Sequence, residues 1–389
     1  MKASDLLDFF STNSLSWEQL EYGGVGLLNL HYGLIHNGLP TQIDINDSTL
    51  PGIKAGNEPR KFTLCKEGDI AFADASEDTN DVGKVVEFVD CAGKNVVCGL
   101  HTIHGRDKLD KTVPGFKGYV FSSKAFHDQI KRIAQGTKVF SISAGCFDEV
   151  SIGIPDKEEQ KKIAALLSLI DQRISIQSKV IEKYESLIKA LTDKIVDDLL
   201  KGRMVPFNQM YIQAGEGGTP STSVGQYYLN GTIPFVKIDD LSSKYLVKNK
   251  DFINDLGLSK SSAWLIPSNS VIYSNGATIG AISINTYPVS TKQGILGVVP
   301  AADVNTEYLY YLMCSRYFSE QVQRIIAEGT MKTAYLKDMN KIQCPLPSLR
   351  EQKRIVAGLS ALSSKLESEL AALLSYESIK RYLLINLFI

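Results

Sequence analysis

The chain has 389 residues, 44% hydrophobic and 22% charged, which is too long for one ordinary core and enough for two domains with connecting helices. Its net charge of −1 lacks the basic footprint of a protein that holds nucleic acid unaided, so partners are expected to supply much of any phosphate contact. No run approaches the roughly 18 apolar residues of a membrane span, and MKASDLLDFF carries acids where a signal peptide carries a basic and then an apolar region, so a cytoplasmic location is expected.

The first segment, residues 1–154, reads as a mixed αβ domain. "EGDIAFADASEDTNDVG" (67–83) is a short strand, a polar turn and a Gly. Met1 to Pro155 holds 15 basic and 20 acidic residues, yet Lys94 to Lys138 holds nine Lys/Arg against three acids, so any anion contact is sought there. Cys65, Cys91, Cys98 and Cys146, like Cys314 and Cys344 further on, form no Cys-x-x-Cys pair. They are expected to be small buried hydrophobes rather than a zinc ribbon or redox motif.

A helix is predicted over 155–203. Pro155 ends the preceding strand, Asp156 is a good N-cap, and Glu159 stands three residues later as a capping box requires. Ile163, Leu167, Ile170, Ile174, Gln177, Ile181, Tyr184, Ile188, Leu191 and Ile195 then alternate steps of four and three, the pattern of a coiled-coil seam. At 1.5 Å per residue the seam spans about 48 Å.

The segment 204–346 predicts a second αβ domain. It contains the polar turn Gly217-Gly218-Thr219-Pro220-Ser221-Thr222, the strand-like Ile233-Pro234-Phe235-Val236-Lys237-Ile238, and "PSNSVIYSNGATIG" (267–280), again a strand, a polar turn and a Gly. The final segment, 347–389, repeats the helix opening: "LPSLREQKRI" matches "IPDKEEQKKI", with Pro347 in the place of Pro155 and with Ser348 and Glu351 in the capping positions. The spacing between the two prolines carries the seam onto Ile355, Leu359, Leu362, Leu366, Glu369, Leu373, Tyr376, Lys380, Leu383 and Leu387. Upstream, Arg132–Thr137 and Arg324–Thr330 each end in a Gly-Thr that precedes the proline. Duplication of one plan follows. The expected class is α+β: two pseudo-repeated mixed αβ domains separated by two long helices in an antiparallel coiled coil, with Gln177 and Glu369 as a central polar layer that fixes register.

No phosphate loop, Gly-x-Gly-x-x-Gly, His-Glu-x-x-His or methyltransferase Asn/Asp-Pro-Pro-aromatic string is present. Asp156, Glu159 and Lys161 imitate a nuclease pattern, but the acids stand too close together and occupy the capping box. His101 with His104, and His31 with His36, read as isolated pairs without a Cys or carboxylate partner, which are more often surface or loop residues, so no metal is expected.

The strings "GGTPST…YYLNGTIPFVKIDDL", "SNGATIGAISI", "STKQGILGVVP", "EGT" and "LPSLREQKRIVAGLSALSSKLESEL" resemble the specificity subunits of type I restriction-modification enzymes over nearly the whole chain. The doubled helix opening is the most specific part. The resemblance implies two target-recognition domains, each reading half of a bipartite DNA site, with helices that set the unread gap and dock two methyltransferase subunits, and restriction subunits through them. It implies a non-catalytic chain without a cofactor of its own, S-adenosylmethionine, ATP and Mg residing on partner subunits. The first half departs from the pattern, offering "EYGGVGLLNLHYGLIHNGLPTQI" (21–43) where a Gly-Gly-Thr-Pro turn is expected, which points to unlike half-sites and an asymmetric target.

On this reading the DNA-contact candidates in the first domain are Lys84, His104, Arg106, Lys108, Lys111, Thr137 and Lys138. Those in the second are Thr219, Ser221, Thr222, Lys237, Lys244, Lys248, Asn275, Thr278, Lys292, Thr330, Lys332 and Tyr335, all types suited to phosphate or base contact. Glu159, Gln160, Lys161, Lys162, Glu351, Gln352, Lys353 and Arg354 are the partner-docking candidates, because capping does not demand the Gln or the basic pair. The rival readings are a stand-alone DNA-binding or scaffolding coiled-coil protein, against which the near-neutral charge counts, and a nuclease or methyltransferase with divergent motifs.

Overall fold

The structure, a computed structural model, describes residues 1–24, 26–46, 49–91, 93–276, 278–326 and 332–388. The chain forms two units, Met1–Lys179 with Leu370–Ile389, and Val180–Glu369.

In the first unit, strands β1 (Leu7–Phe10), β2 (Gln42–Asp44), β3 (Ile70–Ala73), β4 (Val85–Asp90) and β5 (Thr102–Asp107) form a sheet in the order β1-β5-β3-β4-β2. All neighbours are antiparallel except β4 and β2, which are parallel. β3 reads Ile-Ala-Phe-Ala and is buried throughout, the signature of a strand covered on both faces. One face meets helices α1 (Phe116–Val120) and α2 (Lys124–Ile133), where Phe116, Tyr119, Phe126 and Ile130 share a core with Ile70 and Phe72. On the other, Ala71 and Ala73 join Leu30, Cys65, Val96 and Cys98, residues in or beside a smaller sheet of Leu20–Glu21, Gly52–Ile53, Leu28–Leu30 and Val96–Cys98. The long helix α3 (Lys157–Leu199) starts in this unit, with Asp156 Oδ1 accepting from Glu159 N at 2.9 Å, as the N-cap reading requires.

The second unit repeats the plan. Strands β6 (Tyr211–Glu216), β7 (Tyr245–Leu246), β8 (Val271–Ser274), β9 (Ile282–Asn285) and β10 (Ile295–Pro300) lie in the order β6-β10-β8-β9-β7, again with one parallel pair, β9 and β7. Helices α4 (Thr306–Cys314) and α5 (Arg316–Ile325) follow. Ser315 Oγ accepts from Phe318 N at 3.2 Å just as Ser123 Oγ accepts from Phe126 N at 3.2 Å, so the two caps hold equivalent places in the repeat. The last helix, α6 (Leu349–Asn386), is capped by Ser348 Oγ, which accepts from Glu351 N at 3.3 Å.

Each unit holds half of both long helices, and in each the start of one packs with the end of the other, which is the antiparallel arrangement. In the first unit Ile163, Ala164 and Leu167 share a core with Leu383, Leu384 and Phe388, and Lys380 Nζ lies 2.6 Å from Asp171 Oδ1. In the second, Ile188, Leu191, Ile195 and Val196 join Ile355, Val356 and Leu359. The seam positions are buried or half-buried except Leu387, near the end of α6; full burial of one such Leu, as at Leu167, stabilises by about 1.5–3 kcal/mol. Gln177 and Glu369 are both half-buried.

Candidate nucleic-acid interface

The loops that follow corresponding strands are tied together in each unit by backbone hydrogen bonds. In the second unit Asn275, the residue after β8, donates its N–H to Gly294 O at 3.0 Å and accepts from Ala334 N at 2.9 Å, while its Nδ2 donates to Ala334 O at 3.1 Å. Gly217 N donates to Ile295 O and Gly218 N to Thr291 O, at 2.8 and 3.0 Å, Thr219 Oγ1 accepts from Gln293 N at 3.3 Å, and Glu216 Oε1 accepts from Gly294 N at 2.9 Å. Stretches distant in sequence thereby meet. The Gly-Gly pair is a steric requirement: a Cβ on Gly217 would lie 2.1 Å from Thr291 O, and one on Gly218 2.3 Å from Ala263 N.

The first unit has the same wiring. Asp74, the residue after β3, donates its N–H to His101 O at 3.1 Å and accepts from Ile142 N at 2.8 Å. Asn13 N donates to Cys98 O at 3.2 Å, as Gly218 N does to Thr291 O. The counterpart of the Gly-Gly-Thr-Pro turn is therefore Thr12-Asn13-Ser14-Leu15, and the expectation that it falls within residues 21–43 is corrected. Asn13 and Gly218 stand further apart in the chain than Pro155 and Pro347 do, so the spacing that relates the two helix openings misses this pair. A run of small polar residues directly after an apolar strand was the only local signal.

The candidate contacts divide by surroundings. Ser221, Thr222, Thr278, Lys292, Lys332 and Tyr335 are exposed on the joined loops of the second unit, with Thr219 half-buried among them; Thr330 lies outside the described residues. Lys248 is exposed, and Lys237 pairs with Asp251 at 2.9 Å. In the first unit Thr137 and Lys138 are exposed in the turn closed by Gln135 and Ser141. Lys111 is exposed, Lys108 donates to Ser4 O at 2.9 Å, and Lys84 donates to His36 O at 3.4 Å.

Four candidates are corrected to internal roles. Lys244 has a side chain only 8% exposed and donates to Glu307, to Tyr311 Oη at 3.0 Å and to Ser360 Oγ at 2.9 Å. Burial alone would lower its pKa, but the Glu307 carboxylate and the Tyr311 hydroxyl hold it above the ordinary lysine value. Asn275 is fully buried and braces the loops rather than meeting a ligand. His104, 1% exposed, and Arg106 both bind Asp69: His104 Nε2 at 2.8 Å, Arg106 Nε and Nη2 at 2.7 Å each, in a bidentate fork. Burial pushes the Asp69 pKa up, yet Arg106 and His104 together hold it below the usual carboxylate value.

The repeated Gln is corrected too. Gln160 is fully buried: its Oε1 accepts from Val113 N at 2.9 Å and its Nε2 donates to Lys111 O at 2.9 Å and Pro155 O at 2.8 Å. Gln352 makes the same set of bonds in the second unit, to Asn305 N at 2.7 Å and to Asp303 O and Pro347 O at 2.9 Å each. The shared amide ties the helix start to the loop preceding α1 or α4, which explains its recurrence without a partner. Lys161, Lys162, Lys353, Arg354 and Glu159 are exposed and Glu351 half-exposed, with Lys161–Glu158 and Lys162–Glu159 pairs at 2.7 and 3.5 Å.

Two αβ units with one sheet order, one loop wiring and antiparallel helix halves define a duplicated recognition scaffold. A family model described as the type I restriction modification DNA specificity domain matches residues 92–186 and 212–375, well over half of the chain, and the chain belongs to that family. It is 28% identical over 156 residues (39% of this chain, 36% of the relative) to the type I restriction enzyme MjaIX specificity subunit of Methanocaldococcus jannaschii. It is 23% identical over 230 residues (54% and 55%) to the EcoR124I/EcoR124II specificity subunit of Escherichia coli, and 23% identical over 327 residues (77% and 72%) to the putative MjaX specificity subunit of M. jannaschii. The aligned region thus spans about a third to a half of the first two relatives. Among solved structures, the S subunit of a type I restriction-modification system from M. genitalium shares the fold with a TM-score of 0.57 at 19% identity, covering 100% of this chain and 95% of that one. A chain from a study of complex assembly and conformational transition of the type I R-M system has a TM-score of 0.61 at 15% identity, covering 99% and 95%.

Proposed function

We propose that this chain is the DNA-recognition subunit of a type I restriction-modification complex. The observation that carries the reading is the duplicated loop wiring: Asn13, Asp74 and Ile142 in one unit answer Gly218, Asn275 and Ala334 in the other, and family membership supports it. Residues 1–154 and 204–346 are the target-recognition domains; 155–203 and 347–389 are the helices that set the gap between two unlike half-sites. Exposed Ser221, Thr222, Lys292, Lys332 and Tyr335 reach DNA in the second domain, and the loop around Asn13, with Thr137 and Lys138, does so in the first. Side chains of these types read base edges or hold phosphates.

The chain is the non-catalytic member. Methylation and cleavage, with S-adenosylmethionine, ATP and Mg, belong to two methyltransferase subunits and to restriction subunits. Docking uses the exposed helix faces, where Leu166, Leu169, Ile176, Leu374 and Tyr382 project off the seam at 40% exposure or more, beside Lys161, Lys162, Lys353 and Arg354. The test is co-expression with a type I methyltransferase subunit and genome-wide mapping of methylated bases. A bipartite motif with a fixed unread gap is expected. A soluble complex that methylates no motif overturns the reading, and tight, salt-tolerant DNA binding by the chain alone would favour the stand-alone binder.

A further inference from the structure

The first unit contains a group of residues that recognition does not use. Cys65, Cys98 and His104 are all buried, and their thiol sulfurs and a His104 ring nitrogen lie within 4.8 Å of one another. The two sulfurs are 3.6 Å apart. Two thiolates on one tetrahedral zinc, at Zn–S of about 2.3 Å, stand roughly 3.8 Å apart.

His104 is 1% exposed and its two ring nitrogens have different fates. Nε2 is 2.8 Å from Asp69 Oδ2, and since both Asp69 oxygens already accept from the Arg106 fork and Oδ2 also from Lys66 N, the arrangement suits Nε2 as a donor to this carboxylate. Nδ1 is buried with no hydrogen-bond partner, an unfavourable arrangement unless something accepts its lone pair. A histidine oriented by a carboxylate through one nitrogen and left open at the other is the usual disposition of a metal ligand. The carboxylate is itself fixed by the Arg106 fork, and Arg106 Nη2 also donates to Leu64 O at 3.0 Å, holding the segment that carries Cys65.

We infer that Cys65, Cys98 and His104 Nδ1 bind a zinc ion in the first unit. Binding two thiolates and a neutral imidazole to Zn²⁺ gives a site of zero net charge, suited to its apolar surroundings of Leu30, Ala71, Ala73 and Val96. The two S–H protons pass to solvent as the two Zn–S bonds form. The ion would join the strand Val96–Cys98 of the small sheet to β5 of the main sheet. It would also brace the recognition loop, since Cys98 O accepts from both N and Nδ2 of Asn13. Among the described residues the second unit has no such set: Thr291 occupies the position of Cys98, accepting from Gly218 N as Cys98 does from Asn13 N.

The test uses the full chain, purified without a histidine tag under reducing conditions, incubated with zinc chloride and desalted. Elemental analysis is expected to find one zinc per chain. Cobalt(II) in its place should give thiolate-to-metal charge transfer and the visible bands of a tetrahedral site. Cys98→Ser and His104→Ala, checked for folding by circular dichroism, should lose the metal to background. The cobalt spectrum of the unaltered chain is decisive even where a variant fails to fold. Absence of zinc and of the cobalt bands from the unaltered chain overturns the inference, as does equal zinc in both folded variants, or alkylation followed by mass measurement that finds Cys65 and Cys98 joined as a disulfide in freshly lysed cells.

Discussion

Replacing Gln160 by Ala removes an amide that makes three hydrogen bonds inside the first unit, with Val113 N, Lys111 O and Pro155 O. An unsatisfied buried group costs about 1–3 kcal/mol. Val113 and Pro155 are half-buried and Lys111 is exposed, so water relieves part of the loss and about 2–4 kcal/mol of destabilisation is expected. The two tryptophans, Trp17 and Trp264, fall one in each unit. In a Trp264→Phe background, urea unfolding followed by Trp17 fluorescence reports on the first unit, and hydrogen exchange should show loss of protection at the Val113 amide. Gln160→Glu should destabilise comparably at pH 7, because a carboxylate faces the Lys111 and Pro155 carbonyls; Lys161→Ala should move the transition by less than about 0.5 kcal/mol. A Gln160→Ala shift below about 0.5 kcal/mol, with loss of complex formation, would refute the internal role and restore a partner-facing one.

Gly217→Ala and Gly218→Ala place a methyl 2.1 and 2.3 Å from backbone atoms, so each should cost about 1–3 kcal/mol of stability in the second unit, measured from Trp264 fluorescence in a Trp17→Phe background. Asp69→Asn should destabilise the first unit at neutral pH by about 2 kcal/mol, discounted for the partly exposed Arg106. The folded Asp69 pKa lies below its unfolded value, so its contribution is complete above about pH 4 and is lost as pH falls through the lower folded value; the variant should therefore show a flatter acid arm in a stability-versus-pH series. Lys292→Ala should weaken DNA binding by the assembled complex and reduce the salt slope by about one, whereas Lys244→Ala should act on stability, since its ammonium is held by Glu307, Tyr311 and Ser360.

The duplication was legible because its parts recur at one spacing: the proline, the caps, the seam and Gln160 with Gln352 all keep the interval that separates Pro155 from Pro347. The role of that Gln was not legible, since repetition shows that a residue matters but not which way its side chain points. The first unit's counterpart of the Gly-Gly-Thr-Pro turn was hidden by length differences between the halves, which move Asn13 out of step with Gly218. Charge alone does not distinguish Lys244 and Arg106 from free surface cations, because their carboxylate partners come from distant segments at Glu307 and Asp69. Cys65, Cys98 and His104 meet only through pairing between strands that sequence spacing does not reveal.

The most direct test inserts one heptad into each of α3 and α6, after Gln177 and after Glu369, and maps methylation by the complex. Seven residues add about 10 Å of helix, close to three base pairs at about 3.4 Å each. The two half-sites should stay unchanged while the unread gap lengthens by about three base pairs. An active complex that keeps its original gap, or that changes a half-site, would contradict the assignment of reading to the αβ units and spacing to the helices.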